Sequence, residues 1–258
     1  MKDIPDGSID LVLCDPPYGT TACTWDNVLP FDKLWKEYRR VLKADGVAVL
    51  FASQPFTTRL INSNARDFRY CWYWKKNNAT GAVFAKKQPM RCIEDIVVFY
   101  RKAPTYNPQG LIELEKPRQH KATKGGVYGA FRGEPQPQRF TNYPKHLLEF
   151  TNEASSNRNR LHPTQKPVAL LEYLVRTYTN PGETVLDNCM GSGSTGVACI
   201  KAGRRFIGME KDVGYFVTAA NRIEEAYHGH EGENQAALQE ERAAEARRHQ
   251  PDRPLGAR

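Results

Sequence analysis

Two short clusters carry residue types able to do chemistry. The first is Asp15-Pro16-Pro17-Tyr18, directly after the apolar run Ile9–Cys14. That run reads as a buried strand which the prolines stop, since they cannot continue ladder pairing. A carboxylate at the end of a parallel strand lies where α/β sheets place their ligands, and it can accept a hydrogen bond from an exocyclic amino group. The two prolines stiffen the backbone, so that a carbonyl of Pro16 or Pro17 can take a second N–H. Tyr18 offers an aromatic face for a planar base. A proline turn opened by Asp is also a common way to end a strand, so the tetrapeptide alone leaves a purely structural reading open.

The second cluster runs from Asp187 through Asn188-Cys189-Met190 to Gly191-Ser192-Gly193-Ser194-Thr195-Gly196. Gly191, Gly193 and Gly196 fit the G-x-G-x-x-G pattern, and Glu210 ends the next strand. Read alone, this suits a dinucleotide-binding Rossmann segment, in which a glycine turn admits the ligand to the backbone and an acid accepts the ribose hydroxyls. Two features favour S-adenosylmethionine over NAD. Asp187 at the mouth of the preceding strand would repel a pyrophosphate and attract an α-ammonium. The chain also supplies one strand–helix unit after this point, where a dehydrogenase would have a second half.

The elements that must position these clusters alternate. A helix is expected from the spacing of Phe31, Leu34, Trp35, Tyr38, Val41 and Leu42, a strand over Val47–Ala52, a weaker helix over Gln54–Ser63, and strands over Phe68–Trp74 and Ile93–Tyr100. Regular structure returns with a helix from Pro167, a strand over Thr184–Leu186, a helix over Thr195–Ala202, a strand over Phe206–Met209 and a helix over Val213–Ala226. Strand–helix alternation at both ends predicts an α/β fold with a mostly parallel sheet and helices on both faces. From Lys102 to about Arg160 no period survives, and an irregular insert is expected. Residues 228–258 are polar and read as a frayed helix followed by disorder.

The positive charge lies in the middle. The 258 residues have a net charge of +8. Between Lys75 and Lys166 there are 17 Lys/Arg against 7 Asp/Glu, and the rest of the chain has 20 against 22. The basic segment is interleaved with Trp74, Phe84, Tyr100, Tyr106, Tyr128, Phe131, Phe140 and Tyr143, a composition suited to nucleic acid and equally to a solubilising surface. Arg118, Lys121, Lys124, Arg132 and Arg139 are the candidate DNA contacts. The six cysteines show neither CxxC nor zinc spacing, so no metal is expected and reduced thiols in the cytoplasm are. No apolar run is long enough to span a bilayer, and the first ten residues lack a signal core.

In combination, the early DPPY, His162-Pro-Thr-Gln-Lys-Pro167 and the late D-x-C-M-G-S-G-S-T-G resemble the amino-methylating DNA methyltransferases. The order of catalytic motif, recognition region and cofactor motif resembles the β-class, a circular permutation of the Rossmann-like sheet. DPPY is typical of adenine-N6 enzymes and SPPY of cytosine-N4 enzymes. The resemblance spans Ile4 to Ala226. It implies a catalytic half over 1–101, a target-recognition insert over 102–160 and a cofactor-binding half over 161–227. It also implies double-stranded DNA as substrate, a base flipped from the duplex, attack of its amino group on the methyl of S-adenosylmethionine, a homodimer, and a cognate restriction enzyme as a possible partner. By this resemblance Thr164 and Lys166 hold the cofactor carboxylate, Asp187 its amino group and Glu210 its ribose, while Trp25 closes over the base or packs in the core. Family members carry a further strand and a Gly-Asp segment ahead of Asp6-Gly7, and its lack here would weaken cofactor binding. Three alternatives stay open: cytosine-N4 methylation, a DNA-binding module that holds cofactor without turnover, and an NAD oxidoreductase.

Overall fold

The computed structural model describes residues 1–20, 26–119, 137–151 and 165–248, with side chains up to 231. The strands are β1 (Ile9–Cys14), β2 (Leu42–Ala52), β3 (Phe68–Thr80), β4 (Arg91–Tyr100), β5 (Ile112–Arg118), β6 (Gln138–Thr141), β7 (Leu147–Glu149), β8 (Thr184–Asp187) and β9 (Arg205–Gly208). The α-helices are α1 (Phe31–Val41), α2 (Phe56–Ser63), α3 (Val168–Tyr178), α4 (Ser194–Ala202) and α5 (Val213–Arg248).

Seven strands form one sheet in the order β7-β3-β4-β2-β1-β8-β9. β4 runs antiparallel to both its neighbours, and the other four pairings are parallel. The expected mostly parallel α/β architecture is therefore present. β1 is the pivot. Its alternate residues Leu11 and Leu13 face the core that α3 and α4 cover, while Val12 and Cys14 face the core under α1 and α2. Burial on both faces explains why Leu11–Cys14 of β1 is apolar throughout rather than alternating. Its one acid, Asp10, accepts from the Lys43 ammonium at 2.5 Å and from the Thr184 N–H at 2.9 Å.

The chain leaves β1 towards β2 and leaves β8 in the opposite direction, towards β9. Between β1 and β8 lies a topological switch point, the crevice where open α/β sheets bind ligands. Asp15 follows β1 and Asp187 ends β8, and the register pairs Leu11 with Val185 and Val12 with Leu186. Two acids 172 positions apart in sequence thus reach one crevice.

Two expectations need correction. The stretch 102–160 is not wholly irregular: β5 and β6 form an antiparallel ribbon, and β7 joins the main sheet beside β3. β7 pairs only three residues and buries only Leu148, too little for a periodic signal. The last helix also runs past Ala226 to Arg248. Its Ala-, Glu- and Arg-rich composition favours helix locally even without an apolar face. Among the described residues, no helix is long and apolar enough to cross a membrane.

Candidate active site

A cavity of about 1210 Å3 opens over the switch point, lined at one end by Asp15, Pro16, Pro17 and Tyr18 and at the other by Asp187, Gly191, Ser192, Ser194, Thr195 and Glu210. Both sequence clusters therefore face one space.

At the first end, the Asp15 carboxylate is engaged on both oxygens. The Tyr18 hydroxyl donates to Oδ1 at 2.6 Å, and the Lys166 ammonium lies 2.5 Å from Oδ2. One face of the Tyr18 ring stacks on Phe56, with centroids 5.0 Å apart and planes at 23°. The structure adds a residue with no sequence signal of its own, Glu94 on β4. It is 5% exposed. Its Oε1 lies 2.9 Å from Lys166 Nζ and 3.1 Å from the Tyr18 hydroxyl oxygen, while its Oε2 lies 2.6 Å from Lys76 Nζ. Burial opposes the charge on Glu94, but Lys166 and Lys76 outweigh it and hold the carboxyl below its ordinary range. Lys166 is the mirror case, with burial opposing its charge and Asp15 and Glu94 outweighing that, so its pKa is raised. Burial, with Asp15 and Glu94 adding to it, pushes the Tyr18 phenol far up, so it stays a hydrogen-bond donor at all ordinary pH.

Lys166, expected at the cofactor carboxylate, lines the cavity and pairs with the carboxylates of Asp15 and Glu94. A buried ammonium takes the nearest carboxylates, here those of the catalytic motif and of β4.

At the second end, Asp187 is 3% exposed. Its Oδ1 accepts from the Cys189 N–H at 3.0 Å and its Oδ2 from the Thr195 hydroxyl at 2.7 Å. Burial pushes its pKa up to about 6, against the pull of those hydrogen bonds. Glu210 Oε2 accepts from the Gly191 N–H at 2.9 Å, and its Oε1 accepts from the N–H groups of Lys211 and Asp212 at 2.8 and 2.9 Å. Gly193 has φ +78°, and a Cβ there would sit 2.8 Å from the Ala219 Cβ of α5. A Cβ on Gly196 would meet Ile223 at 2.3 Å, so this glycine serves the packing of α4 on α5. Arg222, which sequence reasoning missed, donates from α5 to the Ser192 carbonyl oxygen and to its hydroxyl. Asp212 caps α5 by accepting from the Tyr215 N–H at 3.0 Å, and it also lines the cavity. Two carboxylates and a glycine turn are a donor and acceptor set that fits the ammonium and ribose of an adenosine cofactor.

Arg118 and Arg139 lie exposed on β5 and β6, away from the cavity lining. Thr164, Lys121, Lys124, Arg132, Trp25 and His162 lie outside the described residues.

The comparisons agree with this geometry. The model of the DNA methylase family that groups N6 and N4 enzymes matches residues 9–221. The chain is similar to the DNA adenine methyltransferase YhdJ of Escherichia coli K12, at 30% identity over 88% of this chain and 80% of that one. Its fold superposes on the solved M1.HpyAVI–SAM complex with a TM-score of 0.53 at 25% identity, covering 84% and 89% of the two chains. It also superposes on the cytosine-N4-specific PvuII DNA methyltransferase with a TM-score of 0.59 at 19% identity, covering 89% and 88%. The chain belongs to the N6/N4 DNA methylase family and is a DNA methyltransferase with a Rossmann-like fold.

Proposed function

We propose that the chain transfers the methyl group of S-adenosylmethionine to the N6 amino group of adenine in double-stranded DNA, with the target base turned out of the helix. The observation that carries this is the single cavity joining Asp15 to Asp187 and Glu210. At about 1210 Å3 it exceeds the ~300–1,000 Å3 usual for one ligand, leaving room for a cofactor and a base together. When bound, the cofactor supplies an electrophilic methyl. Asp187 is suited to its ammonium, Glu210 to its ribose hydroxyls, and the turn around Gly191–Gly193 to close backbone approach. The Asp15 carboxylate and a carbonyl of Pro16 or Pro17 accept the two N–H bonds of the target, localising a lone pair otherwise spread into the ring. That is catalysis by positioning and electrostatics. An acid at the first motif position, rather than serine, favours adenine. Mass analysis of nucleosides from DNA treated with the protein tests this: N6-methyl-2′-deoxyadenosine is expected, and N4-methyl-2′-deoxycytidine would overturn the adenine reading alone.

The DNA face is read from charge near the cavity mouth. Residues 75–91 hold Lys75, Lys76, Lys86, Lys87 and Arg91 with no acid. At the turn between β3 and β4, Val83 is 91% and Phe84 55% exposed, and Thr80, Arg91 and Ile93 line the cavity. Replacing Lys86 and Lys87 with alanine is expected to make the slope of log K against log salt shallower by about 2, since each neutralised phosphate contributes ~0.9. An unchanged slope in a filter-binding titration would remove this turn from the DNA face.

Glu210→Ala is expected to weaken S-adenosylmethionine binding by about 1.5–3 kcal/mol, the worth of a charge-assisted hydrogen bond, with DNA affinity unchanged. Calorimetry checks it, and an unaltered Kd would make Glu210 only an organiser of the backbone at Gly191, Lys211 and Asp212.

Asp187 gives a pH dependence with opposite signs for the fold and the ligand. Its folded pKa of about 6 lies above the ordinary aspartate value. The protonated form is therefore favoured in the fold, and this group adds stability to the ligand-free protein as pH falls from about 6 towards 4. Pairing with the cofactor ammonium needs the carboxylate. S-adenosylmethionine binding is expected to weaken by about tenfold between pH 8 and pH 5. A flat calorimetric profile over that range would mean that Asp187 does not meet the ammonium.

A further inference from the structure

The Tyr18 hydroxyl has two acceptors and one proton. Its oxygen lies 2.6 Å from Asp15 Oδ1 and 3.1 Å from Glu94 Oε1. In the first arrangement both Asp15 oxygens are already engaged, Oδ1 by the phenol and Oδ2 by Lys166 at 2.5 Å. A target amino group donating to Oδ1 then shares that oxygen with another donor, and each bond is weaker for it. In the second arrangement the phenol points its hydrogen at Glu94. The change needs only a turn about the phenolic C–O bond, because both acceptors are already within hydrogen-bonding distance.

We propose that Glu94 is a positioning residue for methyl transfer: it takes the Tyr18 hydroxyl proton as a hydrogen bond and so frees Asp15 Oδ1 for the target amino group. The inference rests on the reading above that Asp15 receives that group. The geometry around Glu94 suits the task. It sits on β4, paired with Trp74 of β3 and one residue beyond the last pair with β2, Ala52 with Asp95, so the ladder fixes its position. Lys76 from β3 holds Oε2 at 2.6 Å, and Lys166 ahead of α3 shares Oε1 at 2.9 Å. The two ammonium groups keep Glu94 an acceptor, since a protonated carboxyl would compete with the phenol as a donor. The phenol is itself held in place by stacking on Phe56 of α2, which leaves its hydroxyl the freedom to rotate but not to leave.

A double-mutant cycle tests this, because a merely structural Glu94 would slow the reaction whatever stands at position 18. The readout is single-turnover tritium transfer from S-adenosylmethionine to genomic DNA from a methylation-deficient bacterium, with protein in excess and cofactor saturating. Glu94→Gln keeps the volume and an acceptor but drops the charge. It is expected to slow transfer by at least tenfold, with calorimetric cofactor affinity within twofold of wild type. In a Tyr18→Phe background, which has no hydroxyl to redirect, the same substitution is expected to cost less than threefold. Glu94→Asp keeps the charge but withdraws the oxygens from the hydroxyl, and it is expected to show the same dependence on position 18; it carries the test should Glu94→Gln fail to fold. Equal losses in both backgrounds, or a Glu94→Gln protein as fast as wild type, would overturn the proposal. A wild-type protein that transfers no methyl to this DNA would instead sink the reading on which the proposal stands.

Discussion

Asp15→Ala is expected to slow single-turnover methyl transfer by about 10²–10³ or more, the usual cost of losing one preorganised electrostatic contact at a reacting group. The fold should survive. Asp15 lies beyond the end of β1, at the mouth of the sheet, and its two partners have a second place to go: Lys166 keeps Glu94 at 2.9 Å and the Tyr18 hydroxyl keeps the same oxygen at 3.1 Å. Cofactor binding should survive as well, because Asp187 and Glu210 sit on β8 and just after β9 with hydrogen bonds that do not involve Asp15. What is lost is the acceptor for the target amino group, and with it the orientation of the base. Asp15→Asn keeps the size and one acceptor but drops the charge, so it should fall between wild type and Asp15→Ala. The measurements are methyl transfer at saturating cofactor and DNA, with calorimetric cofactor binding alongside. Near wild-type turnover in Asp15→Ala would remove Asp15 from the chemistry. Lost cofactor binding with an intact fold would place it on the cofactor instead.

How far the site was legible depended on whether its parts are local in sequence. Asp15 could be read because an apolar strand stops abruptly at an acid, and strand ends are where α/β sheets bind ligands. Asp187 and Glu210 could be read for the same reason, with the glycine turn between them as punctuation. Most elements were also legible, since β1, β2, β4 and the helices α1 and α3 each bury a periodic set of side chains. Glu94 was not legible. In Arg91–Tyr100 it is one acid beside another, Asp95, in an otherwise apolar strand, and alternation says only that the two face opposite ways. Its role comes from Lys76 across a strand pair and from Lys166, 72 positions on, and neither contact has a local signature. Arg222 was hidden in the same way, as one arginine on a helix with several charges. Lys166 was legible as a site residue from the family motif, while its pairing with Asp15 and Glu94, both far from it in sequence, was not.

The other large effect is expected at that lysine. Lys166→Met keeps an apolar stem of similar length over the Phe51 ring, which the ammonium now overlies at 5.0 Å from its centroid, but removes the charge. The Lys166 side chain is 10% exposed and the Glu94 side chain 6%. Taking one partner from a buried ion pair costs about 3–5 kcal/mol, because the charge left behind stays desolvated. Lys76 still faces Glu94, and the Asp15 side chain is 23% exposed, so the low end of that range is expected at neutral pH. The pH dependence has a definite sign. Glu94 has a lowered pKa in the native protein, so its contribution is present above the ordinary glutamate value and is lost as pH falls through the folded one. In Lys166→Met the carboxyl loses one of its two cations and is protonated at higher pH. The stability gap to wild type should therefore be widest near pH 7 and narrow as the solution is taken below about pH 5, where protonation relieves the unpaired charge. Urea unfolding at the two pH values measures the gap. S-adenosylmethionine titration of the folded variant separates the two placements of this lysine: if Lys166 serves the catalytic carboxylate and Glu94, cofactor affinity stays within a few-fold of wild type while stability and transfer rate fall together. A large loss of cofactor affinity with stability unchanged would return Lys166 to the cofactor carboxylate and show that its contacts to Asp15 and Glu94 are not what holds this corner of the site together.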